Sequence, residues 1–200
     1  MNRKAYLLIF DGLADWEPAH ALCQINKYGN LDVVPVGISN QPIVTMGGLR
    51  LAPEATLEDL NPSEAAIFIL PGGEMWERET QPAVTKVLQR LHTENVLIGA
   101  ICGATLEIAR AGLTRETRHT SNSLEYLKAM VKEYKDDAFY VDELAVTDNN
   151  IISASGLGSV EFAREIIRQL KIHDEANTRL WFDMFKTGVI PDAFRSGDQH

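Results

Sequence analysis

Short apolar runs alternate with longer amphipathic runs along the whole chain. The apolar runs have the length and continuity of strands that are covered on both faces, and they occupy residues 5–10, 31–38, 65–70 and 96–101. Amphipathic runs predict helices over about 15–28, 82–92, 103–111, 123–134, 159–170 and 175–187, and turn-centred segments predict hairpins over 43–52 and 144–154. This alternation predicts an α/β fold, a mostly parallel central sheet with helices packed on both faces.

The composition of the 200-residue chain is that of one ordinary globular domain. No repeat or linker divides it, so we expect a single domain over 1–200, with a core over about 4–172 and a C-terminal helix and tail over 175–200. The net charge of −9 is spread over both halves, which argues against nucleic acid and anionic membranes as partners. Small molecules, peptides and other proteins remain as classes of partner.

Cysteine use and hydropathy together predict a cytoplasmic protein. Two cysteines are too few for a disulfide framework, and their spacing does not indicate a zinc site, so we expect a reducing environment. The first apolar run ends at Asp11, which is too short for a signal peptide. No stretch reaches the roughly 18 apolar residues that a membrane helix needs.

A cysteine at the junction of a strand and a helix is the strongest chemical signal in the sequence. Cys102 ends the apolar run over 96–101, and small residues, including Gly103, lie on both sides of it. Such a junction is typical of a nucleophile elbow, where small neighbours let the backbone turn and present the nucleophile. The following helix N-terminus is expected to lower the pKa of the thiol. The alternative is a buried cysteine that acts as a small hydrophobic residue.

Two other segments are predicted to reach the same edge of the sheet, because the carboxyl ends of parallel strands lie together. The amides of Gly72 and Gly73, with that of Gly103, are candidates for an oxyanion hole, although paired glycines also end strands in simple turns. Glu17 starts the first helix, either as a carboxyl near the cysteine or only as an acid that a helix N-terminus favours.

Five segments in order along the chain resemble the ThiJ/PfpI family, within the class I glutamine-amidotransferase-like superfamily. They are DGLADWE at 11–17, LPGG at 70–73, AICGA at 100–104, RHTSN at 118–122 and ISASG at 152–156, which runs into VEFA at 160–163. The resemblance covers about residues 4–172. It implies a flavodoxin-like three-layer sandwich with a nucleophile elbow, and a homodimer without cofactor or metal.

The resemblance also implies roles for individual residues. Cys102 corresponds to the reactive nucleophile, Glu17 to the glutamate that hydrogen-bonds the sulfur in its protonated form, and His119 to a histidine near the cysteine. Side chains expected to line the substrate pocket are Trp16, Trp76 and Asn122. For the two tryptophans, packing in the core is the alternative.

The sequence departs from the family branch that is classed as intracellular proteases. That branch has a histidine directly after the cysteine, where this chain has Gly103, so a base must come from elsewhere and His119 is the candidate. Glutamine amidotransferases use a His-x-Glu, which residues 173–175 match, but one helix too late in the chain. We interpret that segment as a helix boundary.

The remaining histidines and the second cysteine are weaker candidates. His20 is expected at the surface of the first helix, His92 closes a helix, and Cys23 is expected in the core. The pair Gly156-x-Gly158 is too short for a dinucleotide fingerprint. On the last helix, an aromatic cluster packs either on the body or in a dimer contact; it consists of Trp181, Phe182 and Phe185.

Two functions follow from these residues together with the resemblance. The first is a cysteine-dependent hydrolase or hydratase that acts on a small amide, peptide or carbonyl compound through Cys102. The second is a non-enzymatic redox sensor or chaperone-like protein in which Cys102 is oxidised reversibly.

Overall fold

The computed structural model describes residues 3–192, so residues 1–2 and 193–200, including His200 and the end of the predicted tail, lie outside the description. The strands are β1 (Lys4–Ile9), β2 (Asp32–Gly37), β3 (Ile43–Val44), β4 (Arg50–Leu51), β5 (Ala55–Thr56), β6 (Ala65–Leu70), β7 (Leu97–Ile101), β8 (Ala145–Asp148) and β9 (Ile151–Ala154). The α-helices are α1 (Trp16–Tyr28), α2 (Met75–Arg78), α3 (Pro82–Thr93), α4 (Thr105–Arg110), α5 (Leu124–Met130), α6 (Ser159–Leu170) and α7 (Glu175–Thr187), and 3-10 turns occupy Leu57–Asp59, Cys102–Ala104 and Asp137–Phe139.

Seven of these strands form one sheet in the order β5-β2-β1-β6-β7-β9-β8. Neighbouring strands are parallel except β8 and β9, which form the second predicted hairpin. The first predicted hairpin is β3 and β4, which pair with each other outside the large sheet. The prediction of a mostly parallel α/β sandwich is confirmed.

The strand order reverses at β1. β2 lies on one side of β1, and β6 lies on the other. Right-handed crossovers therefore put α1 on one face of the sheet and α3 and α4 on the opposite face. In agreement, α1 contacts α6 and α6 contacts α7, while α3 contacts α4. The crevice at the carboxyl ends of β1 and β6 is the position where ligands bind in sheets of this topology.

The packing of α6 on the sheet holds the strand that leads to Cys102. Phe162 of α6 is fully buried, and a Cβ placed on Gly99 of β7 would lie 2.9 Å from its Cζ atom. The aromatic ring therefore packs directly on the β7 backbone, at a position where a side chain on the strand would collide with it. Phe162 belongs to a continuous hydrophobic cluster that includes β1, β6 and β7.

Some elements differ from the predicted pattern. The helix predicted over 123–134 ends at Met130, because Val131 is extended and the Tyr134 amide then closes a turn onto the Val131 carbonyl. The helix predicted from Gly103 begins with the 3-10 turn, and α4 itself has only six residues. The two-residue strand β5 and the four-residue helix α2 were not predicted, since so few residues show no period.

The expectation that Cys23 lies in the core is wrong, because its side chain is exposed. Ala21 and Ile25 are four residues apart on α1 and share its buried face. Cys23 lies midway between them in sequence, and the helical period of 3.6 turns it to the opposite side. Trp181 of α7 packs on the body and is 6% exposed, whereas Phe185 is 47% exposed.

We expect replacement of Phe162 with alanine to lower the free energy of unfolding by about 3–5 kcal/mol, because it leaves a cavity against the β7 backbone. Urea denaturation measures the loss. Phe139, which is 36% exposed, is the matched control, and its replacement with alanine should cost less than about 1 kcal/mol. Equal losses for the two variants would contradict the packing described above.

Candidate active site

The backbone of Cys102 adopts a conformation that non-glycine residues rarely have. Its φ is +59°, in the left-handed region, and Ile101 before it is still in extended strand geometry. A residue in this region carries strain of about 1–3 kcal/mol, which persists only where the surrounding structure enforces it. The predicted sharp turn between strand and helix is therefore present at Cys102, and the side chain is half-buried.

Gly156 makes room for the thiol. A Cβ at this position would lie 2.9 Å from the Cys102 Sγ and 3.2 Å from its Cβ. The glycine follows β9, the next strand beyond β7 in the sheet. In the sequence, Gly156 belongs to the ISASG segment and to an incomplete dinucleotide fingerprint, and neither pattern predicts this role, because contact between two loops far apart in the chain leaves no local signal.

Gly72 brings the carboxyl of Glu17 and the thiol together. The Gly72 amide donates to Glu17 Oε2 over 2.5 Å, and the same carboxyl hydrogen-bonds the Cys102 side chain. A Cβ at position 72 would lie 2.6 Å from Glu17 Oε2 and 2.7 Å from Cys102 Cβ. Only glycine leaves enough space for both groups, so this residue is the steric condition for their contact.

Hydrogen bonds between loops hold Glu17 in position. The side chain is 1% exposed. The Ala14 amide just before α1 donates to the Gly72 carbonyl over 3.0 Å, and Asp15 Oδ2 accepts from the Gly47 amide over 2.6 Å. The start of α1 is thereby bonded both to the loop after β6 and to the hairpin of β3 and β4. Glu17 is consequently more than an acid that a helix N-terminus favours.

Asn122 also contacts the thiol. Its Nδ2 donates to Cys102 Sγ over 3.4 Å, and its Oδ1 accepts from the Gly156 amide over 2.9 Å. The hydroxyls of Ser121 and Thr105 share a hydrogen bond of 2.6 Å, which ties the segment before Asn122 to the start of α4. The predicted pocket residue is therefore in direct contact with the sulfur.

Burial raises the pKa of the Cys102 thiol to about 11, and the charge of Glu17 contributes in the same direction. Hydrogen bonds from Asn122 and from the Gly103 amide act in the opposite direction but are weaker. The expectation of a lowered thiol pKa is therefore wrong: the sulfur is partly removed from water, it lies beside a carboxyl group, and α4 is too short to contribute a large dipole.

Burial also raises the pKa of Glu17 to about 7, although hydrogen bonds from Gly72 and Cys102 oppose the increase. A buried carboxyl and a buried thiol in contact do not both ionise readily, since each charge disfavours the other. Near neutral pH, Glu17 therefore exists in both protonation states, and it is able to accept or donate a proton at the sulfur.

The three glycines predicted to form an oxyanion hole occupy different environments. The Gly72 amide is directed at Glu17 and so does not point to a reacting oxygen. The Gly103 amide lies at the sulfur. Gly73 adjoins Phe10, since a Cβ on Gly73 would lie 2.7 Å from the Phe10 Cε2 atom. Gly103 and Gly73 remain candidates, whereas Gly72 instead positions the carboxyl.

The two tryptophans differ in exposure. Trp76 is fully buried, its Nε1 donates to the Pro71 carbonyl over 2.9 Å, and it meets the ring of Phe10 edge-on at 5.4 Å between centroids. It therefore supports the loop after β6 from within the core instead of lining a pocket. Trp16 is 52% exposed and precedes Glu17 directly, so it remains a candidate for contact with substrate.

The structure does not bring His119 to the thiol. The side chain is 1% exposed. Its Nδ1 is 2.7 Å from the Thr117 carbonyl oxygen, and its Nε2 is 2.7 Å from the Tyr134 hydroxyl. Burial lowers the pKa of the imidazole. With both ring nitrogens engaged away from Cys102, His119 is placed as a structural residue, which corrects the expectation of a base at the rim.

A tyrosine near the thiol was not predicted from the sequence. Tyr126 of α5 interacts electrostatically with Cys102, and burial raises the pKa of its phenol far above the ordinary value. Its hydroxyl donates to Glu77 Oε1 over 2.8 Å. The contact depends on how α5 packs beside α2, for which the sequence carries no periodic signal.

Other histidines are also engaged elsewhere. His20 packs edge-on against Phe185 with 4.8 Å between ring centroids, and His173 Nε2 is 2.7 Å from Gln24 Oε1. His173 therefore joins α1 to the segment before α7, as expected for a helix boundary.

Within residues 3–192, there is no cluster of three or more histidine, cysteine, aspartate or glutamate side chains that could hold a metal ion. In the same range, no helix has the length and apolar character needed to cross a bilayer.

A groove adjoins this site on the side of β1 and β2. Its volume is about 610 Å³. Apolar side chains form much of its lining, among them Phe10, Met46 and Met75. The lining also includes the charged residues Glu74 and Arg78. Gly73, a candidate for the oxyanion hole, packs against Phe10 and the Gly12 carbonyl, and both of these residues line the groove.

Comparison with known proteins identifies the family. The model of the DJ-1/PfpI family matches residues 3–169. An uncharacterized protease of Bacillus subtilis is 36% identical over 194 residues, which cover 93% of this chain and 92% of that protein. A glutathione-independent glyoxalase of Caenorhabditis elegans is 29% identical over 154 residues, 76% of this chain and 80% of that protein.

Solved structures agree with the fold. A ThiJ/PfpI family protein from Bacillus anthracis superposes with a TM-score of 0.88 at 32% sequence identity, and the match covers 94% of this chain and 92% of that chain. A DJ-1 superfamily protein from Agrobacterium tumefaciens superposes with a TM-score of 0.84 at 29% identity, over 93% and 99% of the two chains. The flavodoxin-like sandwich is thereby confirmed, and the chain belongs to the DJ-1/PfpI family.

Proposed function

We propose that the protein is a cysteine-dependent enzyme that converts a small carbonyl compound, with a 2-oxoaldehyde as the best-fitting substrate class. The observation that carries the proposal is the hydrogen-bonded pair of Cys102 and Glu17 at the switch point of the sheet. The Gly103 amide and the Asn122 side-chain amide both donate to the sulfur of that pair. They form a set of donors at the place where a negative charge develops during the reaction.

The pair supports addition of the sulfur to an aldehyde carbon. In this step Cys102 Sγ forms a bond to the carbon, the carbonyl π electrons move to oxygen, and the thiol proton passes to ionised Glu17. Because the thiol pKa is raised to about 11, the resting sulfur is protonated near neutral pH and needs such a base. The carboxyl, with a pKa of about 7, is ionised in a substantial fraction of molecules.

Glu17 is also suited to the later proton transfer. Glu17 first returns the thiol proton to the alkoxide of the 2-oxoaldehyde adduct and is ionised again. The proton on the first carbon then moves to the second carbon, and the hydroxyl proton moves from the first oxygen to the second, which gives a thioester and a new hydroxyl group. Water then hydrolyses the thioester and releases the 2-hydroxy acid, so that the net reaction is addition of one water molecule. A single carboxyl with a pKa near neutrality can take the proton from one carbon and return it to the other.

Peptide hydrolysis is the less favoured alternative. A peptidase needs a group that protonates the leaving amine and then activates water, a task that histidine commonly performs in cysteine enzymes. His119 has both ring nitrogens bonded elsewhere, and Gly103 follows the cysteine. Gly72 and Gly156 also pack closely on Cys102, which favours a small substrate over an extended chain.

The names of the relatives include both of these activities. The Bacillus subtilis relative is named a protease and the Caenorhabditis elegans relative a glyoxalase. Both names are consistent with chemistry at a reactive cysteine, and the geometry around Cys102 supports the second. The alternative role is that of a redox sensor, in which the same sulfur is oxidised, and the experiment below distinguishes it from the enzyme. Assembly as a homodimer and a cytoplasmic location stay predictions.

Replacement of Cys102 with serine should lower turnover of a 2-oxoaldehyde such as methylglyoxal by roughly 10³-fold or more, since the nucleophile is lost. Lactate formation measures the rate. The second cysteine provides a matched control, because Cys23 is exposed and its replacement with serine should leave turnover unchanged.

Wild-type protein that hydrolyses peptides but does not turn over 2-oxoaldehydes would replace the proposal with the peptidase. If neither substrate class is converted while graded peroxide oxidises Cys102 selectively over Cys23, as seen by mass spectrometry, the redox sensor is correct instead.

Replacement of Glu17 with glutamine should move two rates in opposite directions. Turnover should fall by roughly 10²–10⁴-fold because the base is lost. The thiol should react faster with iodoacetamide at pH 8, because removal of the carboxyl charge lowers a pKa that this charge helps to raise. In wild type, kcat/KM should rise with pH through about 7, as the carboxyl ionises, and this rise should be absent in the variant.

The control for Glu17 is glutamine at Glu58, an exposed acid on a 3-10 turn, which should change neither rate. An unchanged pH profile after replacement of Glu17 would show that the carboxyl has no part in the reaction.

Replacement of His119 with alanine should change kcat/KM by less than about threefold when it is measured well below the melting temperature. The free energy of unfolding should nevertheless fall by roughly 1–3 kcal/mol, because the Tyr134 hydroxyl loses a buried partner. Steady-state kinetics together with urea denaturation separates the two effects. A loss of turnover comparable with that of the Glu17 variant, without loss of stability, would restore His119 as the base.

A further inference from the structure

A second cavity lies on the helical layer formed by α3 and α4, away from the cysteine. It has a volume of about 1050 Å³, and the segment after α5, residues 131–136, closes one side. Five cationic side chains line it, namely Lys86, Arg110, Arg115, Lys132 and Lys135. Among the described residues, the acidic side chains in the lining are those of Glu133 and Asp136. We call this cavity the basic groove.

The basic groove is unusual for a chain with a net charge of −9. Elsewhere in the described range, some cations have carboxylate partners, as Lys186 has Glu161 and Arg168 has Glu165 and Glu175, whereas others are scattered singly without one. Within residues 3–192, four cations of the groove take part in no ion pair, namely Lys86, Arg115, Lys132 and Lys135. Since 28 acidic residues are available against 19 basic ones, this absence of pairing leaves a local excess of positive charge.

Two of the charged groups in the lining have defined partners. Arg110 Nη1 donates to the Trp76 carbonyl over 2.9 Å and to Glu107 Oε2 over 3.3 Å, so its guanidinium is held in one orientation. Asp136 Oδ2 accepts from the Thr114 hydroxyl over 2.6 Å. The anchored arginine and the four cations without an ion pair are donors of the kind that suits an anion.

The start of α3 adds further donors. Pro82 at the first turn lines the groove, the N-cap residue Gln81 makes no side-chain capping bond, and no acidic residue lies in the first turn. The amides at this end of a 12-residue helix are thus directed to a region with excess positive charge. Together with the cations, they favour phosphate oxygens as ligands.

We propose that the basic groove binds a small molecule that carries two or more phosphate groups. Five cations against two acidic residues leave a formal charge of +3 in the lining, which corresponds to the charge of a diphosphate, and the volume fits a ligand of nucleotide size. A nucleic acid is disfavoured, because its phosphates would extend beyond the groove over a surface that is acidic overall. The proposal does not depend on the reaction at Cys102.

Isothermal titration calorimetry of the full-length protein tests the proposal, with ATP, pyrophosphate and adenosine as probes. We expect ATP and pyrophosphate to bind, adenosine not to bind, and the affinity to fall as salt concentration rises. Replacement of both Lys132 and Lys135 with glutamine should weaken ATP binding by about tenfold or more. Both lysines are exposed, so the variant should remain folded, which circular dichroism verifies.

The matched control is glutamine at Lys27, an exposed lysine on α1, in the opposite helical layer. This replacement removes one positive charge elsewhere and should leave ATP affinity within about twofold. The proposal is overturned if neither ATP nor pyrophosphate binds at millimolar concentration, or if adenosine binds as tightly as ATP. It is likewise overturned if the lysine variants bind as wild type does, or if a single-stranded oligonucleotide binds more tightly than ATP.

Discussion

The hydrogen bond from the Gly72 amide to Glu17 is the interaction on which the site depends. It joins the loop after β6 to the first turn of α1, and it holds a buried carboxyl against the Cys102 side chain. The contact requires a residue without Cβ at position 72, because any side chain there would displace either the carboxyl or the cysteine. The left-handed backbone at Cys102 then directs the thiol toward this carboxyl from β7.

The proximity of these two acids determines what the site is able to do. Burial raises the pKa of both groups, and the charge of Glu17 raises the pKa of the thiol further, so that the thiol keeps its proton at neutral pH. The result is a protonated nucleophile beside a base, and not the preformed thiolate that a helix N-terminus was expected to produce. Chemistry in which one group both takes and returns a proton suits this arrangement better than chemistry that requires a separate histidine.

The two helical layers have different roles in this fold. α1 lies on one face and contributes Glu17, while the opposite layer supports the elbow through Trp76 and carries the basic groove beside Arg110. Arg110 bonds to the Trp76 carbonyl, and Trp76 packs next to Gly103. The groove and the segment at the cysteine are thus connected through Trp76, although they differ in charge and in the ligand chemistry that they favour.

The sequence alone determined the mostly parallel sandwich, the elbow at Cys102 and the position of Glu17 at the same edge, because strand and helix periods and small residues at a turn are local signals. Only the tertiary structure decided which side chains meet. It turned His119 inward to Tyr134, placed Gly156 and Asn122 against the sulfur, and raised the thiol pKa. Burial and contact between distant loops depend on how the elements pack, and no spacing along one chain encodes these distances.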